Sequence, residues 1–136
     1  RSITVKLDPR SQLSLKAVDL QTQLSLLCYS NYNKLQTIRE LIDSKIATQN
    51  LNKKSLIDLN NFRGNGQPRS ISFFYGSIQA SDLEDETLVG LQSKLLYLID
   101  ILQSADAMPS VKTTEAVSLL DTRVLELLNR WKMIDK

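Results

Sequence analysis

The apolar residues of this chain fall into runs with helical spacing. Leu88, Leu91, Leu95, Leu98 and Leu102 step by threes and fours, and so do Val117, Leu120, Val124, Leu127, Trp131 and Ile134. Each set lies on one face of a helix and needs an apolar partner. Between them stands Ser104-Ala105-Asp106-Ala107-Met108-Pro109-Ser110. Pro109 limits continuation of the first helix, and Ser110 can accept from the free N–H groups of the second. The stretch from Glu84 to Ile134 therefore predicts a helical hairpin. Fully burying its second run is worth on the order of 10–15 kcal/mol before chain entropy is subtracted. The hairpin is thus the expected core, with Leu95, Leu98, Leu120, Val124, Leu127 and Trp131 as its structural residues.

Upstream, Ala17, Leu20, Leu24, Leu27, Cys28, Leu35, Ile38 and Ile42 predict another long helix, from a Ser11 or Ser14 cap to about Thr48. At 1.5 Å per residue it is roughly 50 Å long. Asn31 interrupts its seam. A buried Asn there would set register; an Asn at the edge would face water, and the edge is the expected place. Cys28 reads as a small core hydrophobe, because no histidine is present to activate its thiol.

The remaining segments are less regular. Residues 1–10 alternate, with Ile3, Val5 and Leu7 on one side, until Asp8-Pro9 stops the pattern. Residues 1–13 are expected to form an extended arm, either lying on the bundle or joining it to a preceding β-domain. Residues 14–136 then form the bundle. Leu51, Leu56, Ile57 and Leu59 suggest a short helix to about Phe62, and Gly64-Asn65-Gly66-Gln67-Pro68 a turn. Ser70 to Ile78 suits a short helix packed across the bundle, with Phe73, Phe74 and Tyr75 as core rather than ligand-stacking groups. The predicted fold is all-α: an up-and-down bundle of three long helices plus a short irregular fourth element, with a strand-like N-terminal arm.

Composition narrows the function. A chain of 136 residues with 42% hydrophobic residues fits one domain with its own core. A net charge of +2 does not favour nucleic acid, and no apolar run approaches the ~18 residues of a membrane span. The start at Arg1 rather than Met suggests a mature or truncated fragment. One cysteine leaves no internal disulfide, and the absence of histidine removes His-based acid/base and nucleophile-activating chemistry and most zinc and di-iron sites.

The candidate sites read mostly as structure. Asp82, Glu84, Asp85 and Glu86 suit a helix N-terminus better than a metal, since calcium ligands alternate around a glycine. Gly64-Asn65-Gly66 lacks the Gly-Lys-Ser/Thr of a phosphate loop, and Arg63 and Arg69 beside it are expected in solvent. A compact bundle of this size is expected to leave little room for a cleft. No catalytic residue, cofactor or metal is expected. The one ligand-site candidate is a pocket between helices using Arg69 with Tyr75, Tyr29 or Tyr32, as in a small-ligand sensor.

Val5-Lys6-Leu7-Asp8-Pro9-Arg10, then Asp19-Leu20 opening a long helix, then Leu102 to Ser110 and Leu128-Asn129-Arg130-Trp131, resemble the C-terminal helical tail of bacterial sortilin-like, BNR-repeat β-propeller proteins, often labelled glycosyl hydrolase- or exo-sialidase-like. Ser110 stands where the family's Ala-Asp-x-x-Pro-Thr turn has threonine, and residues 50–81 match nothing in the pattern. The resemblance implies a secreted or cell-envelope protein in which this chain is a non-catalytic accessory or protein-interaction domain. Its partners would be the preceding propeller domain and another protein. The family's catalytic residues would lie in the propeller.

Overall fold

The computed structural model describes residues 13–48, 51–68, 86–104 and 107–135. These form an all-α four-helix bundle: α1 Leu15–Thr48, α2 Lys53–Arg63, α3 Leu88–Ser104 and α4 Val111–Ile134. No strand occurs among the described residues. The expected arm, apart from Leu13, the expected helix over Ser70–Ile78, and Arg69 and Tyr75 lie outside them.

Helix boundaries follow from local chemistry. Ser14 Oγ accepts from Ala17 N at 3.2 Å, so Ser14 rather than Ser11 opens α1. Asn52 Oδ1 accepts from Ser55 N at 2.8 Å before α2, and Ser110 Oγ from Thr113 N at 3.1 Å before α4. Helix α3 begins at Leu88, the first residue of its expected apolar run. Thr87 Oγ1 accepts from Gly90 N at 3.2 Å. At the other end of α3 the free carbonyl of Leu102 is capped by Nε2 of Gln21 from α1.

Cross-helix side-chain pairs give the directions. Gln103 donates to the Tyr29 hydroxyl, and Gln92 donates to Gln36, so α3 runs antiparallel to α1. Asn31 pairs with Asp121 and Lys45 with Asp135, each pair 90 positions apart. Helices α1 and α4 are therefore parallel and in register. The three long helices alternate in direction, and α2 returns antiparallel beside the C-terminal half of α1, where Asp43 meets Arg63 at 3.2 Å.

The core is the three seams meeting. Leu24, Cys28, Leu35, Ile38 and Ile42 of α1 pack with Leu88, Leu91, Leu95, Leu98, Ile99 and Leu102 of α3 and with Val117, Val124, Leu127 and Trp131 of α4. Of the expected structural residues, Leu95, Leu98, Val124, Leu127 and Trp131 are buried, whereas Leu120 is partly buried at the edge. Ile134 departs from the expected seam: it is 41% exposed and lines the open cleft at the end of the bundle. Asn31 corrects the sequence reading outright. It is 1% exposed, on the buried face of α1. A water-facing edge is impossible there because both α3 and α4 pack on that face, and the amide is tolerated because it is hydrogen-bonded.

Helix α2 is tied down at its C-terminal end. Leu59 and Phe62 are buried, and the Phe62 and Trp131 rings lie 5.7 Å apart. Gly64 ends the helix at φ 84, ψ 173, a conformation essentially confined to glycine. A Cβ built on it would lie 2.7 Å from the Thr87 Cβ. The end of α2 and the cap of α3 thus meet backbone to side chain.

Two stability measurements check this packing. Trp131→Ala should lower the unfolding free energy by about 3–5 kcal/mol in a denaturant titration. Gly64→Ala should cost about 2–4 kcal/mol, combining backbone strain with overpacking against Thr87. A cost below about 1 kcal/mol would mean that this approach is loose.

Candidate functional site

Among the described residues, polar side chains reach the interior at three places, two of which join helices while the third joins α1 to the loop after α2. Asn31 donates to Asp121 Oδ1 at 2.7 Å while its own carbonyl oxygen accepts from Lys34 Nζ at 3.0 Å. Gln92, fully buried, donates to Gln36 Oε1 at 3.1 Å across the α1–α3 seam. Arg39, 6% exposed, donates to Gln67 Oε1 at 2.6 Å and to the Gly66 carbonyl at 3.4 Å. Its Nε lies 3.9 Å from the Asp43 carboxylate, whose other oxygen pairs with Arg63. The loop after α2 is therefore pinned to α1. Arg63, expected in solvent, is partly buried because its guanidinium lies against Asp43. The Oε1 of Gln92 and the Nε–H groups of Arg39 and Arg63 are buried without a hydrogen-bond partner, so these links hold the helices in place at some cost in desolvation.

Cys28 is wholly buried on the α1 seam. Burial first, then the nearby Asp121 charge, pushes its thiol up to about 11 from 9.0. Both effects disfavour the thiolate, which is the reactive form. The geometry matches a core hydrophobe.

A cleft of about 820 Å³ opens at the end of the bundle where α1 and α4 finish and α2 lies alongside. This is more open space than the little room expected of a compact bundle. α2 covers only part of the gap, because it is short and, among the described residues, meets α4 through Phe62, which touches both Trp131 and Arg130. The apolar lining is Leu51, Leu59, Phe62 and Ile134. Lys45, Asp58, Arg130 and Asp135 bring the charges. Lys45 stands 5.6 Å over the Trp131 ring and is ion-paired to Asp135. Arg130 stands 5.6 Å over the Phe62 ring. Cation, two aromatics and cation thus form one stack that ties α1, α2 and α4 together.

Tyrosines expected at a ligand pocket are not gathered there. Tyr29 lies near the other end of the bundle, beside a shallower groove of about 310 Å³ with Gln21, Leu26, Leu102 and Gln103. Tyr32 packs against the core. The cleft residues gave no signal in the sequence: Asp58 and Arg130 are single surface charges on helices far apart in the chain. Among the described residues no cluster of His, Cys, Asp and Glu suits a metal, and no helix is long and apolar enough to cross a membrane. The chain matches no protein-family model, no curated protein and no solved structure.

Thiol labelling checks the assignment of Cys28. A thiol held at about 11 rather than 9.0 implies a rate about 100-fold lower at pH 8 in the folded protein than in denaturant. Equal rates in both would show an accessible thiolate and overturn the core assignment.

Proposed function

We propose that this chain is a non-catalytic protein-interaction domain, the accessory helical tail of a larger secreted or envelope β-propeller protein. The observation that carries the interaction role is the division of polar groups. The buried ones, Asn31, Gln92 and Arg39, bind other parts of the bundle and so serve the fold. Exposed Asp58 and Arg130 instead stand at an open cleft lined by both apolar and polar side chains. A site of that kind suits recognition, in which apolar contact supplies affinity and a few charges supply orientation. The propeller context rests on the resemblance of residues 5–10, 19–20, 102–110 and 128–131 alone.

The test is the mass of the native product in its source, detected with an antibody against this domain. A band many times larger than 15.4 kDa is expected. A band near that mass would overturn the accessory-tail part. Glycosidase activity of the purified chain, abolished by substituting Asp82 or Asp106, would overturn the non-catalytic part.

A further inference from the structure

We infer that Asn65, in the exposed loop after α2, is a site of spontaneous covalent modification. Its side-chain amide closes on the backbone nitrogen of Gly66, and water reopens the ring to aspartate and isoaspartate. The inference is independent of the interaction-domain reading.

Of the eight asparagines in the chain, only Asn65 precedes a glycine. Ring closure needs the next backbone nitrogen to reach Cγ of the asparagine, and a side chain on that next residue obstructs the approach. Gly66 has none, and a Cβ built on it would meet nothing within 4 Å, so the loop is open there. Both residues are exposed and lie beyond the end of α2. Among the described residues, neither the Asn65 side chain nor the Gly66 N–H has a hydrogen-bond partner, so no bond must break before they meet. The loop is fixed on either side of them. The Gly64 N–H donates to the Asn60 carbonyl, and the Gly66 carbonyl accepts from Arg39 at 3.4 Å. The two reacting groups are thus held as neighbours in one chain while staying unbound themselves. The local charge favours the reaction as well. Among the described residues, Arg39 and Arg63 share the single carboxylate of Asp43, and Arg39 also holds Gln67 at 2.6 Å. The excess positive charge beside the loop eases loss of the amide proton and favours the carboxylate that results.

The chemistry needs only water. Solvent hydroxide takes the Gly66 N–H proton, and the nitrogen attacks Asn65 Cγ. The N–Cγ bond forms, the Cγ–Nδ2 bond breaks, and Nδ2 leaves as ammonia with a proton from water. One water then opens the five-membered imide. Cleavage at the Cγ–N bond leaves aspartate in an ordinary backbone. Cleavage at the other carbonyl leaves isoaspartate, with the chain running through the side-chain carbon. Either product lowers the formal net charge of +2 by one. Isoaspartate also adds one atom to the backbone between Gly64, which packs on Thr87, and Gly66, which Arg39 holds. The loop that pins α2 to α1 is the part of the fold that this modification alters.

The test incubates the full 136-residue chain at about pH 8 beside the free peptide Arg-Gly-Asn-Gly-Gln, and follows both by mass and by peptide mapping. A gain of about 1 Da is expected, confined to the fragment holding Asn65, at a rate within tenfold of the free peptide's. Asn65→Gln, at an exposed side chain without a hydrogen-bond partner, keeps the fold and should abolish the gain. Conversion more than tenfold slower than in the peptide would show that the folded loop protects the site and would overturn the inference. A gain that persists in Asn65→Gln, or that maps to another asparagine, would overturn it equally.

Discussion

The bundle depends on one face of α1 serving two helices at once. Along 34 residues that face takes α3 antiparallel and α4 parallel. An isolated helix of this length has no means of hiding its apolar seam, so the three long helices are stable only together. Apolar contact is nearly indifferent to sliding. The Asn31–Asp121 link is not, since displacement by one turn would leave a buried amide without its partner. The same offset recurs at Lys45–Asp135, so the register set in the middle is kept at the end.

Helix α2 is held differently. It is short, and its attachment is concentrated at its C-terminal end: Leu59 and Phe62, Arg63 on Asp43, Gly64 against Thr87, and Gln67 on Arg39. Its N-terminal turn, with Ser55 and Asp58, borders the cleft. The cleft exists because α2 leaves α4 after the Phe62–Trp131 contact. The cation–aromatic stack that closes the floor also fixes Arg130 at the wall. Phe62 thus both anchors α2 and lines the cleft.

Parallel packing of α1 and α4 has an electrostatic consequence. Two helix C-termini with their partial negative charges lie side by side at this end of the molecule. Lys45 in the last turn of α1 and Lys132 in the last turn of α4 oppose that charge. Lys45 does so while pairing with Asp135 and covering Trp131, so neither the indole face nor the carboxylate is left to solvent alone.

The long helices were legible in the sequence because apolar spacing and caps are local properties. The limits of α1 at Ser11 or Ser14 and about Thr48, the Ser110 cap, the hairpin of α3 and α4 and a short helix ending near Phe62 all follow from residues within a turn or two of one another. The polar interior was not legible. Polarity alone sets Asn31, Arg39 and Gln92 apart from the apolar seams, and only the arrival of α3, α4 and the loop after α2 makes their burial affordable, by supplying Asp121, Gln36 and Gln67. The cleft was decided by tertiary structure for the same reason. Lys45, Asp58 and Arg130 come from three helices, and a one-dimensional pattern holds no information about which solvent-facing charges a bundle will bring to one end.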